Sequence, residues 1–108
     1  MQSGEVLMTL AGTWDVTVKT PIGSLAVTYV FTETAGGLRG SATLRDETVQ
    51  LSDLTVTESH ATWRQSVTKP MRLNVDFDVV VDGDRLAGYS RAGRLPRSAV
   101  HGTRRHDR

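Results

Sequence analysis

Leu10-Ala11-Gly12-Thr13-Trp14-Asp15-Val16-Thr17-Val18-Lys19 is the stretch whose reading decides the fold. From Trp14 onward apolar and polar residues alternate strictly, the period of a strand with one buried face. Gly12 lets the chain turn sharply into that strand, and Trp14 is its first inward anchor. A half-buried strand needs neighbours to cover its apolar side, so the rest of the chain must supply them.

It does so in a regular rhythm. Thr20-Pro21-Ile22-Gly23 reads as a tight turn. Leu25, Val27, Tyr29 and Phe31 then share one face of a strand rich in β-formers. After Ala35-Gly36-Gly37, Leu38, Gly40, Ala42 and Leu44 share a face, and Asp46-Glu47 turns the chain into Val49 and Leu51. The segment Leu54–Glu58 either continues that strand past a bulge or stands alone. Ala61, Trp63, Gln65 and Val67 line one face of a further strand, which Lys69-Pro70 ends. Leu73, Val75, Phe77, Val79 and Val81 define the cleanest long strand. Asp82-Gly83-Asp84 is a hairpin signal, and Leu86, Gly88 and Ser90 follow it. Ser98 to Arg104 forms a last short strand.

No segment carries a helical apolar stripe over three turns. The expected fold is therefore all-β: an antiparallel up-and-down meander of seven or eight strands, closed as a small barrel. At 108 residues the chain is expected to be one domain, with residues 1–10 as a lead-in and 105–108 as a frayed basic tail.

Composition bounds the chemistry. The chain has no cysteine, so a disulfide, a thiol nucleophile and a cysteine–zinc site are excluded. His60, His101 and His106 share no ligand spacing, and no metal or other cofactor is expected. No apolar run approaches a membrane span, and the N-terminus lacks a signal-peptide pattern, so a cytoplasmic protein without a membrane partner is expected. Six of the eleven arginines lie in the last 18 residues. That cluster reads as a solvated tail rather than a nucleic-acid surface. Val80, Ala26 and Val30 are apolar on outward faces and are better hidden, which points to a homodimer.

Gly12-Thr13-Trp14 at the head of the first strand, followed by an antiparallel meander, resembles the calycin superfamily of lipocalins, fatty-acid-binding proteins and avidins. The resemblance implies a calycin-like barrel with Trp14 near one end, covered by an arginine of the last strand. Arg104 and Arg105 are the candidates for that contact. It also implies a binding site in the barrel interior. The lipocalin Thr-Asp-Tyr loop is not present in this sequence, and no ligand is carried over.

Inward-facing positions supply the candidate site: Tyr29, Phe31, Trp63, Gln65, Phe77 and Ser90. An apolar lining with a few polar tips suits a hydrophobic or amphipathic small molecule. Small residues at Gly40, Ala42, Ala61 and Gly88 predict free volume inside. The same pattern also serves a cofactor-free cyclase, isomerase or lyase, with Tyr29, His60, Tyr89 or Arg91 as proton donor. A third reading is an interaction module whose core is filled by these rings, Tyr29 and Gln65 pairing with neighbours. The sequence leaves all three open.

Overall fold

The computed structural model describes residues 10–20, 23–67 and 73–105. Nine strands follow one another: β1 (Gly12–Thr20), β2 (Gly23–Thr34), β3 (Gly37–Leu44), β4 (Glu47–Gln50), β5 (Ser52–Thr57), β6 (His60–Val67), β7 (Leu73–Asp82), β8 (Arg85–Ala92) and β9 (Ser98–Arg104). They form one antiparallel sheet in the order β4-β3-β2-β1-β9-β8-β7-β6-β5. The strand beginning at Gly12 thus sits at the centre, joined to β2 on one side and to the last strand on the other.

The count of nine corrects the expected seven or eight, and the reason is local. β4 and β5 are separated only by Leu51, and they belong to opposite edges of the sheet. Up to Leu51, whose amide donates to the Gly40 carbonyl at 3.0 Å, the chain pairs with β3. From Ser52 it pairs with β6, with a register shift between Ser52 and Thr55. Asp53 takes a left-handed φ of 56° in that bulge. One kinked segment therefore serves both edges, and the sheet becomes a nearly closed barrel with little unpaired edge.

Alternation places the side chains as the pattern requires. Trp14, Val16 and Val18 on β1, Val27, Tyr29 and Phe31 on β2, and Phe77, Val79 and Val81 on β7 are all buried. Asp82-Gly83-Asp84 makes the β7–β8 turn, with Gly83 at a φ of 64° that a side chain disfavours. The lead-in through Thr9, the Lys69-Pro70-Met71 link and His106 to Arg108 lie outside the described residues. Arg105 is among the described residues: its amide donates to the Thr13 carbonyl at 2.7 Å, and its guanidinium binds the Asp15 carboxylate.

Candidate functional site

The two ends of the barrel differ. At the end where β1 begins, the Trp14 ring is fully buried and its Nε1 donates to the Leu10 carbonyl at 2.8 Å. The Arg104 guanidinium lies 4.4 Å from the centre of that ring. Arg104 thus makes the contact for which Arg104 and Arg105 were both candidates. It also donates to the Asp84 carboxylate at 2.9 Å and to the carbonyl of Ala11. A cation held over an aromatic face and tied to a backbone carbonyl and a carboxylate packs this end.

The middle of the barrel is an aromatic cluster. Trp63 and Phe77 are Cα partners on β6 and β7, and their rings stack with centroids 5.2 Å apart. Tyr29 reaches the same place from β2, with its ring 5.3 Å from Trp63 and 6.1 Å from Phe77. Phe31 packs edge-on against Trp63 at 5.5 Å. The structure therefore brings four of the expected residues together from three strands. Two of the small positions expected to leave space do not. A Cβ at Gly40 would meet Leu51 and Phe31 side-chain atoms at 2.8 Å, and one at Gly88 would run into the backbone of β7. Gly40 accommodates a ring and Gly88 a neighbouring strand.

Polar chemistry enters at the next tier, away from Trp14. The Tyr29 hydroxyl donates to Gln65 Oε1 at 2.7 Å, and Trp63 Nε1 donates to the same oxygen at 3.2 Å. An indole nitrogen can only donate, so the atom facing it must be the amide oxygen, which fixes the orientation of Gln65. Desolvation pushes the Tyr29 hydroxyl pKa well above the ordinary phenol range, and its bonds to Trp63 and Gln65 offset only part of that rise. Gln65 Nε2, by contrast, makes no hydrogen bond among the described residues, and neither does Ser90 Oγ. Yet no sealed side-chain nitrogen or oxygen there lacks a partner. Both atoms therefore face space that water can occupy, although Gln65 is only 6% and Ser90 4% exposed.

Ser90 is the Cα partner of Phe77, and Gln65 that of Val75, so the two polar tips flank the Phe77 strand on its inner face. Beyond them the described residues are less buried. Leu44, Val75 and Ala92 are half-buried, and Leu25 is 39% exposed. Among the described residues, these half-buried apolar side chains lie on one side of Gln65 and Ser90 and the aromatic cluster on the other.

The other sequence candidates lie on the outer face. His60 pairs with the Asp78 carboxylate. Tyr89 is half exposed beneath the Arg97 guanidinium, 4.4 Å from its ring, and Arg91 Nε donates to the Leu95 carbonyl at 3.2 Å. The fold does not bring these three to Tyr29. Alternation assigns Leu25, Leu44 and Val75 inward like the core residues, and it carries no signal that they are less buried than Val27 or Phe77.

The class of protein these features define is a small, nearly closed, antiparallel β-barrel with an aromatic core, one end of it packed around Trp14 and Arg104. No family model, no curated protein and no solved structure matches the chain.

Proposed function

We propose that this is a calycin-like barrel that binds a hydrophobic or amphipathic small molecule at the end opposite Trp14. The observation that carries the reading is the unpaired Gln65 Nε2, joined by Ser90 Oγ, beside half-buried apolar side chains. Both atoms face space that water can occupy, and a ligand whose polar group takes the place of that water keeps their hydrogen bonds while adding apolar contact. A ligand with a carbonyl, hydroxyl or acid oxygen would meet the amide nitrogen while its apolar part lies against Val75, Leu44 and Leu25. Tyr29 and Trp63 would act on Gln65 rather than on the ligand: two donors on Oε1 hold the amide so that its nitrogen points away from them. The ligand's reach is set by the stacked Trp63 and Phe77 rings, so it occupies the outer half of the barrel.

The enzymatic alternative needs a group that delivers a proton to a substrate. Tyr29 is committed to Gln65 and holds its proton more tightly than a free phenol, while His60, Tyr89 and Arg91 stand outside. These facts favour binding over turnover.

Titration with anilinonaphthalene sulfonate, an environment-sensitive apolar anion, tests the reading. The expected result is saturable dye emission together with a change in tryptophan fluorescence, in a sample that still melts cooperatively. Gln65→Leu keeps the side-chain bulk and removes the donor; it is expected to weaken the dye by about tenfold or more, the loss of ~1.5–3 kcal/mol for a hydrogen bond to a charged group. Tyr29→Phe is expected to have a smaller effect, because Trp63 still holds Oε1. A folded protein that leaves the dye dark overturns the proposal.

A further inference from the structure

The connection between β8 and β9 carries a pattern that the barrel interior does not explain. From Arg85 to Arg105 the chain holds no acidic residue. Arg91, Arg94 and Arg97 fall within seven residues of that run, around Leu95-Pro96. All five side chains are exposed. Leu95, at 56%, is the most exposed large hydrophobic residue among those described.

The loop is held in place by its own contacts. The Leu95 amide donates to the Ala92 carbonyl at 3.0 Å and closes a turn, with Gly93 at a left-handed φ of 59°. Arg91 Nε donates to the Leu95 carbonyl at 3.2 Å and braces that turn from β8. The Arg97 guanidinium rests on the Tyr89 ring, 4.4 Å from its centre. The register that pairs Ser90 with Ser98 puts Arg91 and Arg97 one step further along adjacent strands, both facing outward. Lys19, the Cα partner of Ala99, adds a fourth cation on the outer face.

Like charges at facing positions repel one another, and the nearby acids do not relieve these. Asp76, the Cα partner of Arg91, binds Arg64 at 2.8 Å. Asp46 and Glu47 belong to the β3–β4 connection, beyond β1 and β2 in the sheet. Among the described residues, Arg91, Arg94 and Arg97 make no ion pair with a carboxylate.

We infer that this loop docks on the surface of an anionic lipid bilayer. A free phosphate or sulfate would answer the arginines but leave Leu95 exposed among them. A single nucleic-acid strand stacks its bases on open aromatic faces, and Tyr89, the ring beside the loop, carries Arg97. A bilayer interface meets both halves of the pattern: anionic headgroups for the guanidinium groups and, just beneath, an apolar layer for Leu95 and Pro96. No membrane partner is expected from the sequence because no apolar run is long enough to span a bilayer; contact with its surface needs no such run. With so little apolar surface, the contact is weak, reversible and sensitive to salt.

Cosedimentation of the full chain with sucrose-loaded vesicles is the test, using phosphatidylcholine and phosphatidylserine at about three to one and phosphatidylcholine alone. Partition onto the mixed vesicles at low salt is expected, falling as salt rises, with little onto phosphatidylcholine. Arg94→Glu changes the loop by two charges and is expected to weaken partition about twentyfold, at about fivefold per charge. Leu95→Ser is expected to weaken it about tenfold without changing its salt dependence. Both residues are exposed, and unchanged melting temperatures will show that the variants fold. No partition at low salt overturns the inference, and so does equal partition onto phosphatidylcholine alone. A Leu95→Ser chain that binds like the unaltered one also overturns it, because the loop then holds anions without entering a lipid surface. Tighter binding to single-stranded oligothymidine than to the mixed vesicles overturns it in favour of nucleic acid.

Discussion

Trp14→Ala is expected to be the most damaging side-chain truncation in the chain, lowering stability by ~3–5 kcal/mol. The ring is fully buried, its nitrogen is bonded to Leu10, and Arg104 lies across it. Removing it opens a cavity that the barrel end cannot close, because β1 is pinned between β2 and β9. Against a total of ~5–15 kcal/mol for a domain of this kind, that loss leaves a marginal fold. Urea unfolding followed by circular dichroism measures it. Arg104→Ala is expected to cost less, ~1.5–3 kcal/mol, the range for hydrogen bonds from a charged group. The ring would remain packed while the carbonyl of Ala11 and the carboxylate of Asp84 turn to water. An unchanged urea midpoint for Trp14→Ala would mean that Trp14 does not plug the barrel.

Gly88→Ala is expected to rank with it, for the opposite reason. Here one carbon is added rather than a ring removed. The new Cβ would run into the Asp78 carbonyl oxygen and lie 2.6 Å from Val79 Cα. Those are backbone atoms of the paired strand, so no side-chain rotation relieves the contact and β7 and β8 must part. The expected loss is ~3 kcal/mol, at the upper end of overpacking costs. Gly40→Ala supplies the control. The atoms nearest its Cβ would be side-chain carbons of Leu51 and of the Phe31 ring, at 2.8 Å. Side chains yield more readily than a paired backbone, and an expected loss of ~1–2 kcal/mol follows. Equal melting temperatures for Gly88→Ala and the unaltered chain would show that β7 and β8 are not so closely apposed.

Much of this protein was legible without coordinates because a strand's side chains obey a period of two regardless of what lies opposite. Trp14, Tyr29, Trp63 and Phe77 were assigned inward by alternation alone, and all four are buried. The turn at Asp82-Gly83-Asp84 was equally local, since only the backbone freedom of glycine was at issue. The all-β class and the meander order followed from these repeated local choices.

What alternation could not determine is how the two edges of the sheet meet. The kink at Leu51 and Asp53, which lends one segment to both β3 and β6, decides between the two readings open for Leu54–Glu58, a continued strand or a separate one, and makes it separate. It depends on the shear that closure imposes on the whole barrel, and no window of sequence contains that quantity. The same holds for Gly40 and Gly88. A small residue in a strand signals close approach, but whether a void, a ring or a backbone approaches is decided by strands distant in sequence. Only tertiary structure chose Arg104 over Arg105 for Trp14, because one step of register sends neighbouring side chains to opposite faces. Gln65 shows the division most plainly. Its inward direction was written in the alternation of β6, whereas the commitment of its oxygen to Tyr29 and Trp63, with its nitrogen left free, arises where β2 and β6 face each other across the barrel.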